Sequence, residues 1–393
     1  MTSAPSQQEL QSLAAACQRL WDLDVNGLQP GRDYALNPQR GKKSYMEQDV
    51  APGPLFSQVN PAVFQYKPTY ALFYALLDNY HAQVGETEHL DSSQNQEVQQ
   101  FLDAITQTPC LRYVHQILVA KQLADHDLTA FKQQLYQMWF RTYTREVRDD
   151  SSGFEHVFVG EARDGKIMGL HNWIQFSDQE QKRTLEYKGY IFPRVQRLGD
   201  RTLQPLSNYK HATVWFAVHS HGGQQEEVDA NERMLTVQFS WNGQQKDISS
   251  MFIGTSPEFE MALYTLCFLA GQEENVVSLG DYQVKIKVYR IRSKYGDKVG
   301  SAFPELLQKV AGRAGANLHT PAPVHQIAPW YSQQKGNSPS QQSYVQAVNG
   351  PAQQQPQGNY SAQTSGYQPQ ASQSAQQGCG NFLKSLARAL FGK

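Results

Sequence analysis

The chain has 393 residues, of which 40% are hydrophobic, and a formal net charge of −1. A chain of this length can bury one large hydrophobic core, or two moderate ones with a tail. Its near-neutral charge excludes a positive field over the whole surface, so nucleic-acid binding would need a local basic patch. Four cysteines lie far apart with neither metal-ligand spacing nor a disulfide rhythm: Cys17, Cys110, Cys267 and Cys379. We expect them to be reduced thiols.

The first 20 residues lack the basic and apolar segments of a secretory signal. No stretch approaches the roughly 18–20 apolar residues of a membrane span. We therefore expect an intracellular protein, cytoplasmic or nuclear.

The N-terminal part, residues 1–150, is typical of a mainly helical scaffold. Apolar residues at three- and four-residue steps predict helices over 8–21, 68–81, 94–107 and 111–147. Residues 26–65 are rich in Pro, Gly, Asn and Asp, which indicates an ordered, irregular connector. Four aromatic residues are expected to anchor it: Tyr34, Tyr45, Phe56 and Phe64.

Next comes SGFEHVFVGEARDGKIMGLHNW (152–173), which sets His156 and His171 on either side of an Asp164-Gly165 turn. Such a turn folds the chain back, so the two imidazoles can meet. In a continuous hairpin the two histidines would share a face at roughly 7–8 Å, with residue 158 opposite 171, and Glu155 and Glu161 would lie on the other face. The second arm also suits a helix beginning near His171.

Residues 151–307 are expected to form the β-rich part that carries the site. Strands are predicted for EHVFVG (155–160), YKGYIF (187–192), ATVWFAVH (212–219), MLTVQFSW (234–241), MFIG (251–254) and YQVKIKVYRIR (282–292). Between them Thr255-Ser256-Pro257-Glu258 caps a helix that Gly271 terminates. Helices followed by strands describe an α+β fold, mostly antiparallel in its second part.

After Glu305 the chain has no acidic residue and six basic ones. Residues 308–380 form a Gln-, Ser-, Pro- and Tyr-rich segment that should be disordered, suited to weak RNA contact, to self-association or to a spacer role. Residues 381–393 suit a short amphipathic helix, capped by Asn381, that would become ordered on a protein groove or a membrane surface. Cys379 could add a lipid anchor beside it.

Four motifs carry a family resemblance: GFEHVFVGE (153–161), GLHNWIQF (169–176), WNGQQKDISSMFIGTSPEFEMALYTLCFLA (241–270) and GSAFP (300–304). Together they resemble the EndoU family, the XendoU-like poly(U)-specific endoribonucleases, over roughly residues 8–307. The resemblance implies an α+β endoribonuclease that acts on single-stranded RNA at uridines.

The resemblance also implies site residues. The two catalytic histidines fall on His156 and His171, and the catalytic lysine falls on Lys246. Glu155 and Glu161 would orient the histidines or take part in the Mn²⁺ dependence that several members show, although no ligand set is evident in the sequence. Ser250 matches a serine implicated in uridine selection.

One motif departs from the family. Where the family has a tyrosine in a TAY-type motif, this chain has Ser301-Ala302-Phe303. Phe303 can stack on a base, worth about 1–3 kcal/mol, but it cannot donate a hydroxyl hydrogen bond. Base stacking should survive and a phosphate contact should not.

The residue types suit RNA cleavage on chemical grounds as well. A neutral imidazole can activate the ribose 2′-hydroxyl, a protonated one can give its proton to the departing 5′-oxygen, and a lysine can offset the charge on the phosphate. The expected product is a 2′,3′-cyclic phosphate, and by analogy with the family His171 is the base and His156 the acid.

Structural roles are the alternative for each residue: core histidines, a solvated hairpin-tip lysine at Lys246, structural glutamates and a backbone-capping Ser250. His219-Ser220-His221 suggests a metal site without an evident third ligand. Two other functions therefore stay open, an RNA-binding protein on the EndoU fold with weak or lost cleavage and a metal-dependent phosphoesterase. We expect a monomer.

Overall fold

The computed structural model describes residues 4–192, 228–294 and 296–309. Several predicted features lie outside the described residues: the strand at 212–219, the His219-Ser220-His221 segment, the low-complexity segment from 310 onward and the helix at 381–393. None of the described helices combines the length and the apolar composition of a membrane span.

The N-terminal part is mainly helical, as predicted. Its helices are α1 (Gln7–Gln11), α2 (Leu13–Asp22), α3 (Val63–Tyr66), α4 (Pro68–Ala75), α5 (Ser92–Ile105), α6 (Pro109–Ala120) and α7 (Leu128–Trp139), with a 3-10 turn at Leu76–Asp78. The single helix predicted over 8–21 is wrong, because Ser12 separates α1 from α2 and caps α2 through its side chain. The single helix predicted over 111–147 is also wrong. Gln122 has a φ of 60°, and Asp127 caps α7 by accepting a hydrogen bond from the Ala130 N–H at 3.0 Å.

The connector at 26–65 is ordered and contains three short strands: β1 (Tyr34–Leu36), β2 (Gly41–Lys42) and β3 (Phe56–Val59). Tyr34 and Phe56 pack against Trp173, with ring centroids 6.1 and 5.9 Å apart. These two aromatic anchors are confirmed. Tyr45 is 76% exposed, so its predicted anchoring role is wrong.

Two sheets form the second part. Their strands are β4 (Glu161–Arg163), β5 (Lys166–Met168), β6 (Leu185–Ile191), β7 (Met234–Trp241), β8 (Gln244–Phe252), β9 (Glu274–Leu279), β10 (Tyr282–Ile291) and β11 (Lys298–Lys309). The larger sheet has the order β2-β6-β7-β8-β5-β4, and the smaller sheet has the order β11-β10-β9. Neighbouring strands are antiparallel except β2 with β6 and β5 with β8. The α+β fold with a mostly antiparallel second part is confirmed.

The segment EHVFVG is not a strand, so this prediction is wrong. Glu155–Val159 forms a π-helical turn, closed by a hydrogen bond from the Gly160 N–H to the Glu155 carbonyl at 2.8 Å. All five residues are buried, and a short buried apolar run has no periodicity that separates a strand from a helical turn. Turns of this kind occur frequently at functional sites.

Helix α9 (Pro257–Ala270) is the central element of the core. Every residue from Pro257 to Phe268 is buried, and the helix packs against α2, α6 and β10. Its predicted cap is confirmed, since the Ser256 side chain accepts a hydrogen bond from the Phe259 N–H at 3.1 Å. Because α9 follows β8 closely in the chain, this buried helix holds the end of the strand that carries Lys246.

Candidate active site

His156 lies on the π-helical turn and is 6% exposed. Its Nδ1 is 2.6 Å from Oε2 of Glu161, a fully buried carboxylate at the start of β4. The prediction that Glu161 lies on the opposite strand face from His156 is wrong, because a π turn and not a strand joins them. A carboxylate accepts and does not donate, so Nδ1 carries the hydrogen and Nε2 is left for proton transfer.

The Asp164-Gly165 turn joins β4 to β5 as predicted, with both residues at positive φ. The strands are short, however, and the continuous pairing to His171, one of the two alternatives for the second arm, does not form. Instead, the Leu170 N–H donates to the His156 carbonyl at 3.1 Å and the His171 N–H donates to the Val157 carbonyl at 2.9 Å. The two arms therefore meet backbone to backbone at the histidines.

Gly169 permits this close approach. It has a φ of +63°, and a Cβ at this position would lie 1.6 Å from the His156 carbonyl oxygen. Its own carbonyl accepts a hydrogen bond from Nζ of Lys246 at 2.8 Å. One glycine thus contacts both His156 and Lys246.

His171 is 6% exposed and lies just before helix α8 (Trp173–Gln181). Asn172 caps this helix by accepting hydrogen bonds from the Ile174 and Gln175 N–H groups at 3.0 and 3.1 Å, so the helical alternative for the second arm is confirmed. Nδ1 of His171 lies 3.0 Å from the Ser250 carbonyl oxygen. Because a carbonyl only accepts, Nδ1 carries the hydrogen, and Nε2 of the neutral ring keeps a lone pair.

Lys246 lies on β8, beyond the Asn242-Gly243 turn, and not at a solvated tip. A β-bulge follows it: Phe239 pairs with Lys246, whereas Val237 pairs with Ser249, so β8 has one extra residue between the two pairs. The bulge places Lys246 and Ser249 on one face of the strand. Ser249 Oγ lies 3.2 Å from Nδ1 of His171.

The predicted substrate-binding residues occupy different surroundings. Ser250 Oγ lies 2.8 Å from Oγ1 of Thr236, on the face of β8 opposite Ser249. Ser301 pairs with Tyr289 in the smaller sheet. The Phe303 ring stacks on the imidazole of His171, with centroids 4.6 Å apart and an interplanar angle of 15°.

Burial lowers the pKa of both histidines. For His171 the positive charges of Lys246 and His156 add to burial, and the pKa falls well below its ordinary value. For His156 the hydrogen bond to Glu161 opposes burial, while the charges of Arg145 and Lys246 add to it. Burial lowers the pKa of Lys246 to about 8. Lys246 contacts the Gly169 carbonyl, Gly169 packs against the His156 carbonyl and His171 follows two residues later, so the three residues lie close together.

Comparison with known proteins shows the family to which this chain belongs. The family model described as endoribonuclease XendoU matches residues 12–304. The chain belongs to the XendoU endoribonuclease family. The family resemblance inferred from the four motifs is therefore confirmed, and the chain is an EndoU-type enzyme.

Relatives in the XendoU family match most of the chain. Uridylate-specific endoribonuclease C of Danio rerio is 41% identical over 319 residues, which cover 78% of this chain and 92% of that protein. Poly(U)-specific endoribonuclease-B of Xenopus laevis is 38% identical over 300 residues, covering 73% and 91%. A solved structure described as XendoU, a splicing independent snoRNA processing endoribonuclease, is 37% identical with a TM-score of 0.59, covering 75% of this chain and 97% of that one.

The glutamates of this XendoU-family site do not fit a manganese ion. Oε2 of Glu161 is engaged by His156 and lies 3.3 Å from Nε of Arg145. Glu155 and Glu88 are both buried and hydrogen-bonded to each other, and burial together with the neighbouring carboxyl groups raises the pKa of Glu155 far above its ordinary value. A protonated carboxyl is a poor ligand for a hard cation. Over residues 4–192, 228–294 and 296–309, no group of three or more His, Cys, Asp or Glu side chains could hold a metal.

Sequence reasoning missed three residues that hold this XendoU-family site together: Gly169, Ser249 and Arg145. Gly169 had one available signal, since a glycine inside a predicted strand arm often marks a close approach of another backbone segment. Ser249 was missed because the bulge in β8 changes which residues share a face with Lys246. Arg145 contacts Glu161 only after the chain has folded, so nothing in its local pattern indicated a role.

Proposed function

We propose that the chain is an endoribonuclease that cleaves single-stranded RNA at uridines by acid–base catalysis. One observation carries the proposal: the two buried imidazoles direct Nδ1 to different acceptors, the Glu161 carboxylate for His156 and the Ser250 carbonyl for His171. A carboxylate stabilises an imidazolium by its charge, whereas a carbonyl does so much less. Of the two buried rings, His156 is therefore the one that takes up a proton more readily.

The reaction follows from this difference. Nε2 of neutral His171 removes the proton of a ribose 2′-hydroxyl, whose oxygen attacks the adjacent phosphorus. As the new bond from phosphorus to the 2′-oxygen forms, the bond to the 5′-oxygen of the next nucleotide breaks, and protonated His156 supplies that oxygen with a proton. The products are a 2′,3′-cyclic phosphate and a 5′-hydroxyl. The assignment of base and acid thus has a physical basis besides the family analogy.

Lys246 stabilises the charge that develops on the phosphate. A partly buried ammonium acts in a lower dielectric than water, where a charge contributes more. The hydrogen bond from its Nζ to the Gly169 carbonyl holds it beside the histidines. We assign Glu161 to the orientation of His156 and Glu155 to a supporting role as a neutral acid.

Uridine preference is supported by the relatives, which are uridylate- and poly(U)-specific endoribonucleases. Phe303, partly exposed and stacked on His171, is the proposed stacking partner for the base, and Ser250 and Ser301 are the proposed polar contacts. The monomeric state, the partner of the helix at 381–393 and the cellular compartment stay predictions.

The decisive experiment uses a single-stranded oligonucleotide with one uridine, tested with EDTA and with Mn²⁺. Cleavage after the uridine, a cyclic phosphate detected by mass and no cut when that nucleotide is 2′-deoxy are expected. Binding without products would instead support an RNA-binding protein, the function that Phe303 in place of tyrosine favours. Cutting of the deoxy strand in Mn²⁺ would support a metal-dependent phosphoesterase, for which His219-Ser220-His221 is the remaining candidate site.

A further inference from the structure

We infer that Arg145 is a positioning residue for the acid histidine, acting through Glu161 and joining it to the strand that carries Phe303. The inference rests on the proposed function for its catalytic meaning. Its structural basis is a set of contacts that converge on one guanidinium between the two sides of the site.

The guanidinium of Arg145 connects two distant parts of the chain. Its Nε lies 3.3 Å from Oε2 of Glu161, the same oxygen that contacts Nδ1 of His156 at 2.6 Å. Its Nη2 donates to the Gly300 carbonyl at 2.7 Å and to the Tyr143 hydroxyl at 2.8 Å. A planar guanidinium can contact the Glu161 carboxylate and the Gly300 carbonyl at the same time, which a lysine ammonium on a flexible side chain does less well.

The segment that carries Arg145 is held in place before any substrate arrives. The buried carboxylate of Asp150 accepts hydrogen bonds from the N–H groups of Arg145, Glu146 and Val147 at 2.6, 2.9 and 3.0 Å. Nε of Arg145 also lies 2.9 Å from Ser151 Oγ. The side chain is 17% exposed, so its position is set by the protein and little by solvent.

Arg145 also sets the charge balance at His156. The charged groups that act on this imidazole are Glu161, Arg145 and Lys246, with His171 as the nearby neutral ring. The Glu161 carboxylate raises the pKa of His156, and the charge of Arg145 lowers it. Without Arg145, the opposing charge is lost and the pKa of His156 should rise, so the titration of His156 reports on this contact.

The link to Gly300 reaches the other histidine. Gly300 opens the GSAFP motif on β11, three residues before Phe303, whose ring stacks on His171. One side chain therefore supports the carboxylate behind the acid and the strand that holds the ring beside the base. We expect its loss to disturb the geometry of both.

Arg145→Met tests this in the full chain, without RNA, by NMR titration of ¹³C-labelled histidine, with His156→Gln to assign the signal. The His156 midpoint should move to higher pH. In cleavage assays kcat should fall roughly 10- to 100-fold, the scale expected for small misplacements of catalytic groups. Arg148→Met is the matched control, because Arg148 carries the same charge in the same segment with its side chain 93% exposed, and it should leave both measurements unchanged.

An unshifted His156 midpoint in folded Arg145→Met, or an equal shift in Arg148→Met, would overturn the inference. If Arg145→Met does not fold, Arg145→Lys takes its place and should reduce kcat with a smaller change in the midpoint. In a Glu161→Gln background the further effect of Arg145→Met on kcat should be small, and full additivity would show that Arg145 does not act through Glu161. If the protein cleaves no RNA while the midpoint still shifts, the proposed function fails and the positioning role stands.

Discussion

The rings of His171 and Phe303 lie face to face, with centroids 4.6 Å apart and planes 15° from parallel. Phe303 belongs to β11 of the smaller sheet, whereas His171 precedes α8 and contacts β8 of the larger sheet through the Ser250 carbonyl. The imidazole is thus fixed between two sheets, by a hydrogen bond on one edge and by an aromatic ring on one face.

Phe303→Leu should lower kcat as well as raise KM. Leucine keeps the apolar bulk, but it loses the aromatic contact, worth about 0.5–1.5 kcal/mol beyond burial, that orients the imidazole. We expect kcat/KM for a uridine oligonucleotide to fall roughly 2- to 12-fold, the fold-change that corresponds to this energy, and Phe303→Tyr to retain activity. A change in KM alone would mean that Phe303 contacts the base without orienting His171.

The rate should decrease as pH rises through about 8. Burial lowers the pKa of Lys246 to about 8, so the ammonium that stabilises the phosphate is present below this pH and is lost above it. Lys246→Arg keeps its charge, because a guanidinium stays protonated at all these pH values. The variant should be slower at pH 7 but should lack the decrease near pH 8. Single-turnover rates between pH 5 and 10 measure both, and an identical decrease in the variant would assign it to another group.

Gly169→Ala should disrupt the site. The added Cβ would lie 1.6 Å from the His156 carbonyl oxygen, so the backbone must move where both histidines and Lys246 are held. We expect a loss of about 3 kcal/mol or more in the free energy of unfolding and no measurable cleavage. Gly165→Ala is the control, since Gly165 also has a positive φ but nothing lies within 4 Å of its Cβ position. It should lose only about 1–2 kcal/mol; equal losses in denaturant melts would contradict the role of Gly169.

Glu155→Gln should be tolerated far better than Glu161→Gln. The raised pKa of Glu155 means that it carries a proton at neutral pH, shared with Glu88, and glutamine resembles a protonated carboxyl in shape and hydrogen bonding. Burial opposes ionisation of Glu161, but the hydrogen bond and charge of His156 and the charge of Arg145 lower its pKa. Glu161 therefore acts as a charged carboxylate. We expect a loss of kcat of less than about tenfold for Glu155→Gln and of roughly 10²-fold or more for Glu161→Gln, the lower end for an acid–base group.

Local chemistry made several elements predictable from the sequence. Ser256-Pro257 marks the start of α9 because a serine cap and an early proline suit only a helix N-terminus. Asp164-Gly165 and Asn242-Gly243 mark turns because both turns need positive φ. The three catalytic candidates came from the motif resemblance. Besides burial, the charge of Lys246 lowers the pKa of both His156 and His171, which supports the proposal built on that resemblance.

Other features depend on contacts between distant residues and could not be predicted from the local sequence pattern. The π turn at Glu155–Val159 is buried on every side, so hydrophobic alternation carried no information there. The contact of Glu161 with His156 followed from that turn, and a strand assumption placed the two apart. Asp127, a good cap residue, indicated that a new helix begins at α7. The regular apolar spacing over 111–147 was nevertheless interpreted as a single helix.

The extra residue in β8 between Lys246 and Ser249 restricts how the two strands of this hairpin can pair. A regular ladder of the same residues, without the bulge, would turn the ammonium toward the other side of the sheet, because residues three apart on a regular strand face opposite sides. A hairpin paired in that way could thus be well folded and inert. Insertions and deletions that surface hairpins usually absorb are therefore expected only at Asn242-Gly243, where the chain turns before Lys246 is placed.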